Sequence, residues 1–151
     1  MRASDTTWLL AIIATTVIAA LGWIMAKIFE LAIHLRAQIY FVQERLIYFA
    51  RQIHSPDVMR EDLIREADRE LRGLASSIRA GADAVLFYKL FSYLSIIPPK
   101  KNVKEASGLL IGLHNSLESV TIELDDKRAD TNRKSYKKVG ELLGIDLSTS
   151  A

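Results

Sequence analysis

Polarity alone divides the chain in two. From residue 6 to residue 26 run 21 residues without a charge (TTWLLAIIATTVIAALGWIMA), bracketed by Asp5 and Lys27. At about 1.5 Å per residue a helix of this length spans about 31 Å, the thickness of a bilayer's hydrocarbon core. Past Lys27 the pattern turns amphipathic. Ile28, Leu35, Val42 and Phe49 fall seven apart, and Ala32, Ile39, Leu46 and Ile53 form a second series offset by four. Together they make a heptad seam, while Glu30, Arg36, Gln43, Glu44 and Arg51 occupy the wet face. One helix is therefore predicted from about residue 6 to about residue 53: a transmembrane part (6–26) and a water-facing part (about 27–53), after a short tail (1–5).

His54-Ser55-Pro56-Asp57 reads as a break and restart, with Ser55 as N-cap, Pro56 at the first helical position and Asp57 at the positive dipole end. The next helix is predicted over about 56–97, ending before Pro98-Pro99, with a buried stripe of Ile64, Ala67, Leu71, Leu74, Ile78 and Val85. Its charged first half offers pairs such as Glu61 with Arg65 and Asp68 with Arg72, each contributing about 0.2–0.5 kcal/mol. A third helix over about 103–124 starts at an Asn102/Glu105 capping pair and carries Ala106, Leu109, Leu113, Leu117, Val120 and Leu124. The polar stretch 125–132 interrupts the pattern. A last helix over about 133–143 carries Tyr136, Val139, Leu142 and Leu143, stops at Gly144-Ile145, and leaves 148–151 as a loose tail. Nothing reads as a strand. The expected fold is all-α: an N-terminal single-pass transmembrane helix continuing into a long antiparallel bundle or hairpin of three to four helices over 27–147.

The two long helices do not match in length. The first extends about 40 Å beyond Ala26, whereas 42 residues of the second would extend about 63 Å. Its far end, residues 84–97, thus comes level with the bilayer, and Lys89 in its middle prevents a second crossing. Either the helix bends, most easily at Gly73 or Gly81, or the segment lies at the surface. Phe87, Tyr88, Phe91 and Tyr93 are side chains suited to a membrane interface, and Lys89, Lys100 and Lys101 can reach anionic headgroups. A core helix packed under the third helix accounts for the same apolar residues.

Composition narrows the class. Seven Gly and three Pro among 151 residues leave little room for disorder, and the absence of Cys excludes disulfides, thiolate chemistry and Cys-based metal sites. A net charge of +2 does not point to nucleic acid. A cleaved signal peptide would have a shorter apolar core and a small-x-small site after it; here the helical pattern continues through Lys27 and Glu30, so an uncleaved anchor is expected. Arg2 faces Lys27, Arg36 and Arg45 across the span, which places the N-terminus outside and the bundle in the cytoplasm, consistent with a bacterial inner membrane. Trp8, Trp23 and Lys27 sit where interface anchors belong. Within the span Ala11, Thr15, Ala19, Gly22 and Ala26 form a small-residue stripe that lets another helix approach, and Thr15 can add an interhelical hydrogen bond.

Candidate chemistry is sparse. His34, His54 and His114 lack the spacings of a zinc helix, and His54 at a helix end suits a protonated imidazole. Ser135-Tyr136-Lys137-Lys138 matches S-x-x-K without the further motifs that reaction needs, and no phosphate-binding glycine loop is present. No cofactor and no metal are expected. Gly108 and Gly112 offer close helix packing, and His114-Asn115 a polar pair in the core or at a groove. The basic cluster Lys127, Arg128, Arg133, Lys134, Lys137 and Lys138 is diluted by Asp125, Asp126 and Asp130. The role expected is non-enzymatic: a membrane-anchored scaffold or regulatory protein, homo-oligomeric, with a bundle that binds a protein partner. The alternative is a small oligomeric membrane-active protein, an effector or pore component, using 84–97 as a second lipid contact.

Overall fold

The computed structural model of the chain describes residues 3–54, 61–118 and 126–147. The expected restart at Ser55-Pro56-Asp57, the far end of the third helix at Val120 and Leu124, and the tail from Ser148 lie outside the described residues. Among the described residues every element is helical: α1 (Ala3–Tyr48), α2 (Ala50–His54), α3 (Glu61–Ala84), α4 (Tyr88–Tyr93), α5 (Lys100–Glu118) and α6 (Asp126–Leu143). α1 takes in residues 3–5 of the expected tail. It nearly merges with α2, because Phe49 N–H donates to the Arg45 carbonyl (2.9 Å) and Ile53 N–H to the Phe49 carbonyl (3.0 Å), carrying the ladder across the one irregular residue.

The heptad seam organises the bundle. All eight of its positions are buried, as are Ala67, Leu71, Leu74 and Ile78 of α3, Ala106, Leu110, Leu113 and Leu117 of α5, and Tyr136, Val139, Leu142 and Leu143 of α6. α1 packs on α3, α3 on α5, α5 on α6, and α6 returns to α2. Each fully buried Leu or Ile contributes about 1.5–3 kcal/mol. Polar contacts set the register between layers: Ser107 Oγ donates to the Ala75 carbonyl (3.0 Å), and Asn132 Nδ2 donates to the Ile53 carbonyl (3.3 Å).

Three boundaries differ from the sequence pattern. The helix predicted to reach Ile97 stops at Ala84, and α4 forms a separate turn of helix after Phe87, which holds the left-handed conformation (φ 54°, ψ 34°). The break avoids both glycines proposed for it. Gly81 lies in the α1–α3 contact, where a Cβ would run into Gln38 Oε1 and approach Leu35 Cδ1 at 3.1 Å, so packing keeps the helix regular there. α5 begins at Lys100, with Val103 N–H bonded to the Pro99 carbonyl (3.1 Å), so Asn102 lies inside the first turn and is not its cap. α6 begins at Asp126, not near Arg133: the polar stretch is helical because buried Asn132 docks it on α2. Gly144 ends α6 at φ 65°, Ile145 N–H returns to the Gly140 carbonyl (3.0 Å), and a Cβ on Gly140 would meet Leu147 Cδ1 at 3.0 Å.

Replacing Leu110, fully buried between α3 and α5, by Ala should cost about 2–5 kcal/mol in denaturant unfolding of the detergent-solubilised chain. Glu105→Ala, on the exposed face of α5, should change stability by less than about 0.5 kcal/mol.

Candidate functional site

The N-terminal half of α1 buries none of its described side chains against the bundle. Every described side chain from Thr7 to Lys27 is exposed, with Trp8 at 73% and Trp23 at 65% of full accessibility, and the helix is long and apolar enough to cross a membrane. Ala11, Thr15, Ala19, Gly22 and Ala26 are exposed too, and a Cβ on Gly22 would meet nothing. On a helix turning about 100° per residue, these five fall within about 40° of exposed Ile33 and about 60° of exposed Tyr40. Buried Leu35, Val42, Leu46 and Phe49 lie about 140–180° round. The small-residue stripe and the outer face of the bundle helix are therefore one continuous face. Thr15 Oγ donates to the Ala11 carbonyl and Thr16 Oγ to the Ile12 carbonyl (both 2.8 Å), which leaves each hydroxyl only an acceptor role toward any other helix.

A polar collar follows. Lys27 Nζ pairs with Glu30 Oε2 at 2.6 Å, and that hydrogen bond, with the lysine's charge, holds the Glu30 carboxyl below its ordinary range. One turn beyond the apolar run, Phe29 meets Phe91 of α4 edge to face, centroids 5.1 Å apart. The segment around α4 is divided. Phe91 and Tyr88 belong to the core; the Tyr88 hydroxyl donates to the Pro98 carbonyl (2.8 Å), and burial pushes its pKa up to about 12. Phe87, Lys89 and Tyr93 face outward, together with Leu86, Leu90 and Leu94. The expected interfacial role of Tyr88 and Phe91 is thus replaced by a packing role, since both rings are needed to close the tip of α3 on α1. The three leucines were passed over in the sequence, although their spacing of four puts them on one helical edge. Lys100 pairs at the surface with Asp83 Oδ1 at 3.0 Å, with Lys104 at 3.5 Å; hydrogen bonding and charge from these lysines lower the Asp83 carboxyl. Lys101 remains exposed.

Gly108 and Gly112 are exposed, and a Cβ on either would meet nothing, so no described helix of this chain closes on them. Of the expected polar pair, His114 is buried and Asn115 exposed; His114 Nδ1 lies 2.5 Å from Asp68 Oδ1 and 3.1 Å from the Asp68 carbonyl, clasping α5 to α3. Asp68 thereby faces α5, where the sequence had suggested a partner in Arg72. His34 lies 3.3 Å from Gln38 Nε2 on the open side of α1. His54 packs edge to face on Tyr136 (4.7 Å), and burial, then the charge of Arg133, lowers its pKa. The protonated imidazole expected from helix-end electrostatics is overridden by those two effects.

The basic cluster on α6 rides at the end far from the apolar run, because Asn132 bonds to Ile53 of α2, about 40 Å beyond Ala26 along α1 and its continuation in α2. Ion pairs within α6 involve it, Arg133 with Asp130 (3.9 Å) and Lys138 with Glu141 (3.5 Å). Sequence reasoning also undervalued Arg36, whose Nη1 donates to the Ile96 carbonyl (3.1 Å) and whose Nη2 donates to the Tyr40 hydroxyl (3.1 Å). It borders an open cleft of about 420 Å³ with Glu141 on the far wall. Among the described residues no three His, Cys, Asp or Glu side chains converge as a metal site.

Two outcomes follow from this geometry. Because His54 titrates below its ordinary 6.5 in the folded state, its contribution to stability is complete above that value and is lost as pH falls through the folded pKa. Thermal unfolding between pH 8 and pH 5 should show a fall in Tm that His54→Gln flattens. Phe87→Gly, which relieves a left-handed non-glycine residue, should raise stability in detergent by about 1 kcal/mol in the same assay. Comparison with protein-family models, with curated proteins and with solved structures finds no match for this chain.

Proposed function

We propose that this chain is a non-enzymatic, membrane-anchored helical scaffold whose bundle lies on the cytoplasmic side, binds a protein partner and self-associates. The observation that carries the reading is α1 itself: one helix whose described side chains from Thr7 to Lys27 are all exposed and whose second half is the seam of the bundle. In water that first half would expose an apolar surface far larger than soluble monomers leave uncovered. A bilayer covers it, and the unbroken helix then couples the membrane rigidly to the bundle. Lys27, Arg36 and Arg45 on the bundle side, against Arg2 on the other, favour the cytoplasmic orientation.

Self-association is supported by the continuous exposed face from Ala11 to Ile33, beyond which Tyr40, itself half exposed, borders the cleft toward α6. Small residues allow close approach in lipid, and Ile33 and Tyr40 extend the same seam beyond it. A membrane-active oligomer with an aqueous pore is less well supported, because the Thr15 and Thr16 hydroxyls are spent on their own backbone.

The chain lacks cysteine, so single replacements report cleanly. In membranes, Gly22→Cys should form a disulfide-linked dimer on mild oxidation, while Leu21→Cys, about 100° round the helix, should not. Gly22→Leu should abolish the dimer detected through a cysteine placed at Ala26. For orientation, Lys134→Cys should resist a membrane-impermeant maleimide in intact cells and react after permeabilisation.

A further inference from the structure

We propose that the α4 tip is a second membrane contact, seated in the interfacial layer of the same bilayer that α1 crosses. The inference rests on the reading of residues 6–26 as the span. Outside α1, the large hydrophobic side chains exposed among the described residues are Leu86, Phe87, Leu90, Tyr93, Leu94 and Ile111. Five of these six fall within nine consecutive residues. Elsewhere the outward faces of α3, α5 and α6 are polar and charged, as a water-facing bundle requires. An apolar surface so confined has a local purpose.

Its height identifies the occupant. Phe91 meets Phe29 edge to face, and Phe29 lies three residues past Ala26, about 4.5 Å along the helix axis. The α4 tip is thus level with the Lys27–Glu30 collar, where the hydrocarbon core gives way to headgroups. The exposed side chains have the chemistry of that layer: leucines and a phenylalanine to enter the acyl boundary, Tyr93 with a polar end, and Lys89 able to extend its ammonium to phosphates. The tip is also held firmly. Tyr88 is bonded to the Pro98 carbonyl, Lys100 to Asp83, and the segment is bracketed by two non-glycine residues at positive φ, Phe87 (54°) and Ser95 (57°). The left-handed Phe87 presents its apolar ring outward and not into the core.

The bundle therefore rests on the bilayer at two points and does not swing on α1. Its α2–α6 end, with the basic face, is directed away from the membrane and is the end free to meet a partner.

The full chain is reconstituted in phosphatidylcholine–phosphatidylglycerol vesicles with a single environment-sensitive fluorophore on Ile18→Cys, Phe87→Cys, Leu90→Cys or Lys134→Cys. Phe87 and Leu90 are exposed, so neither replacement disturbs the core. Labels at positions 18, 87 and 90 should shift to the blue and lose emission when nitroxide-bearing lipid is included, and the label at 134 should do neither. Water-like emission at 87 and 90, with lipid quenching at 18, would overturn the second contact and leave the anchor standing. Water-like emission at 18 as well would remove the anchor, and this inference with it. Blue-shifted emission at 87 and 90 that lipid nitroxide does not quench would overturn lipid as the occupant in favour of a second copy of the chain.

Discussion

The rest of this structure depends on one helix keeping its hydrogen-bond ladder across a change of surroundings, from uncovered to packed. α1 runs without interruption from Ala3 to Tyr48, yet its side chains meet two different requirements on either side of Ala26. Before that point no described residue covers it. After Ile28 its heptad positions are the wall against which α3, α6 and the tip of α4 are assembled. Stopping there would leave the end carbonyls and amides of two helices without intrahelical partners, so continuity is the low-cost solution. The bundle inherits its direction and its distance from the apolar run.

The α4 turn follows from the same constraint. α3 packs against α1 only where α1 has a seam to offer, and that seam begins at Ile28. Extended straight, α3 would carry Lys89 alongside the uncharged run. The chain instead turns at Phe87, buries Tyr88 and Phe91 beneath the end of α3, and returns through Pro98-Pro99 into α5. The cost is two residues in left-handed backbone; the compensation is a closed tip with Phe29 and Phe91 in contact. Polar contacts then fix register where apolar packing alone would allow sliding: Ser107 on Ala75, His114 on Asp68 and Asn132 on Ile53.

The reach of the sequence depended on how far apart the interacting residues were. Eight seam positions on α1, and Tyr136, Val139, Leu142 and Leu143 on α6, were legible because a buried stripe repeats with the helix's own period. The Gly144-Ile145 stop was legible because it is a local backbone requirement. The break at Phe87 was not, since no residue there favours positive φ; it is imposed by where α1 stops offering a partner. The helix at 126–132 was hidden for a similar reason, its polar residues being held by one side chain, Asn132, reaching 79 positions back to Ile53. Gly108 and Gly112 illustrate the converse: a spacing suited to close packing, with no described helix of this chain against it.

By itself the sequence determined the class of this protein: helical throughout, with one segment able to cross a bilayer and an amphipathic remainder. Those properties depend on charge, length and period, which are local sums along the chain. Only the tertiary structure decided which apolar residues around α4 are core and which are surface. Tyr88 and Phe91 have the same character as Phe87 and Tyr93, and they are separated by the direction each side chain takes once α3, α5 and α1 have closed around them. That direction is set by backbone geometry at Phe87 and by a partner ring at Phe29, neither of which a pattern of polar and apolar letters contains.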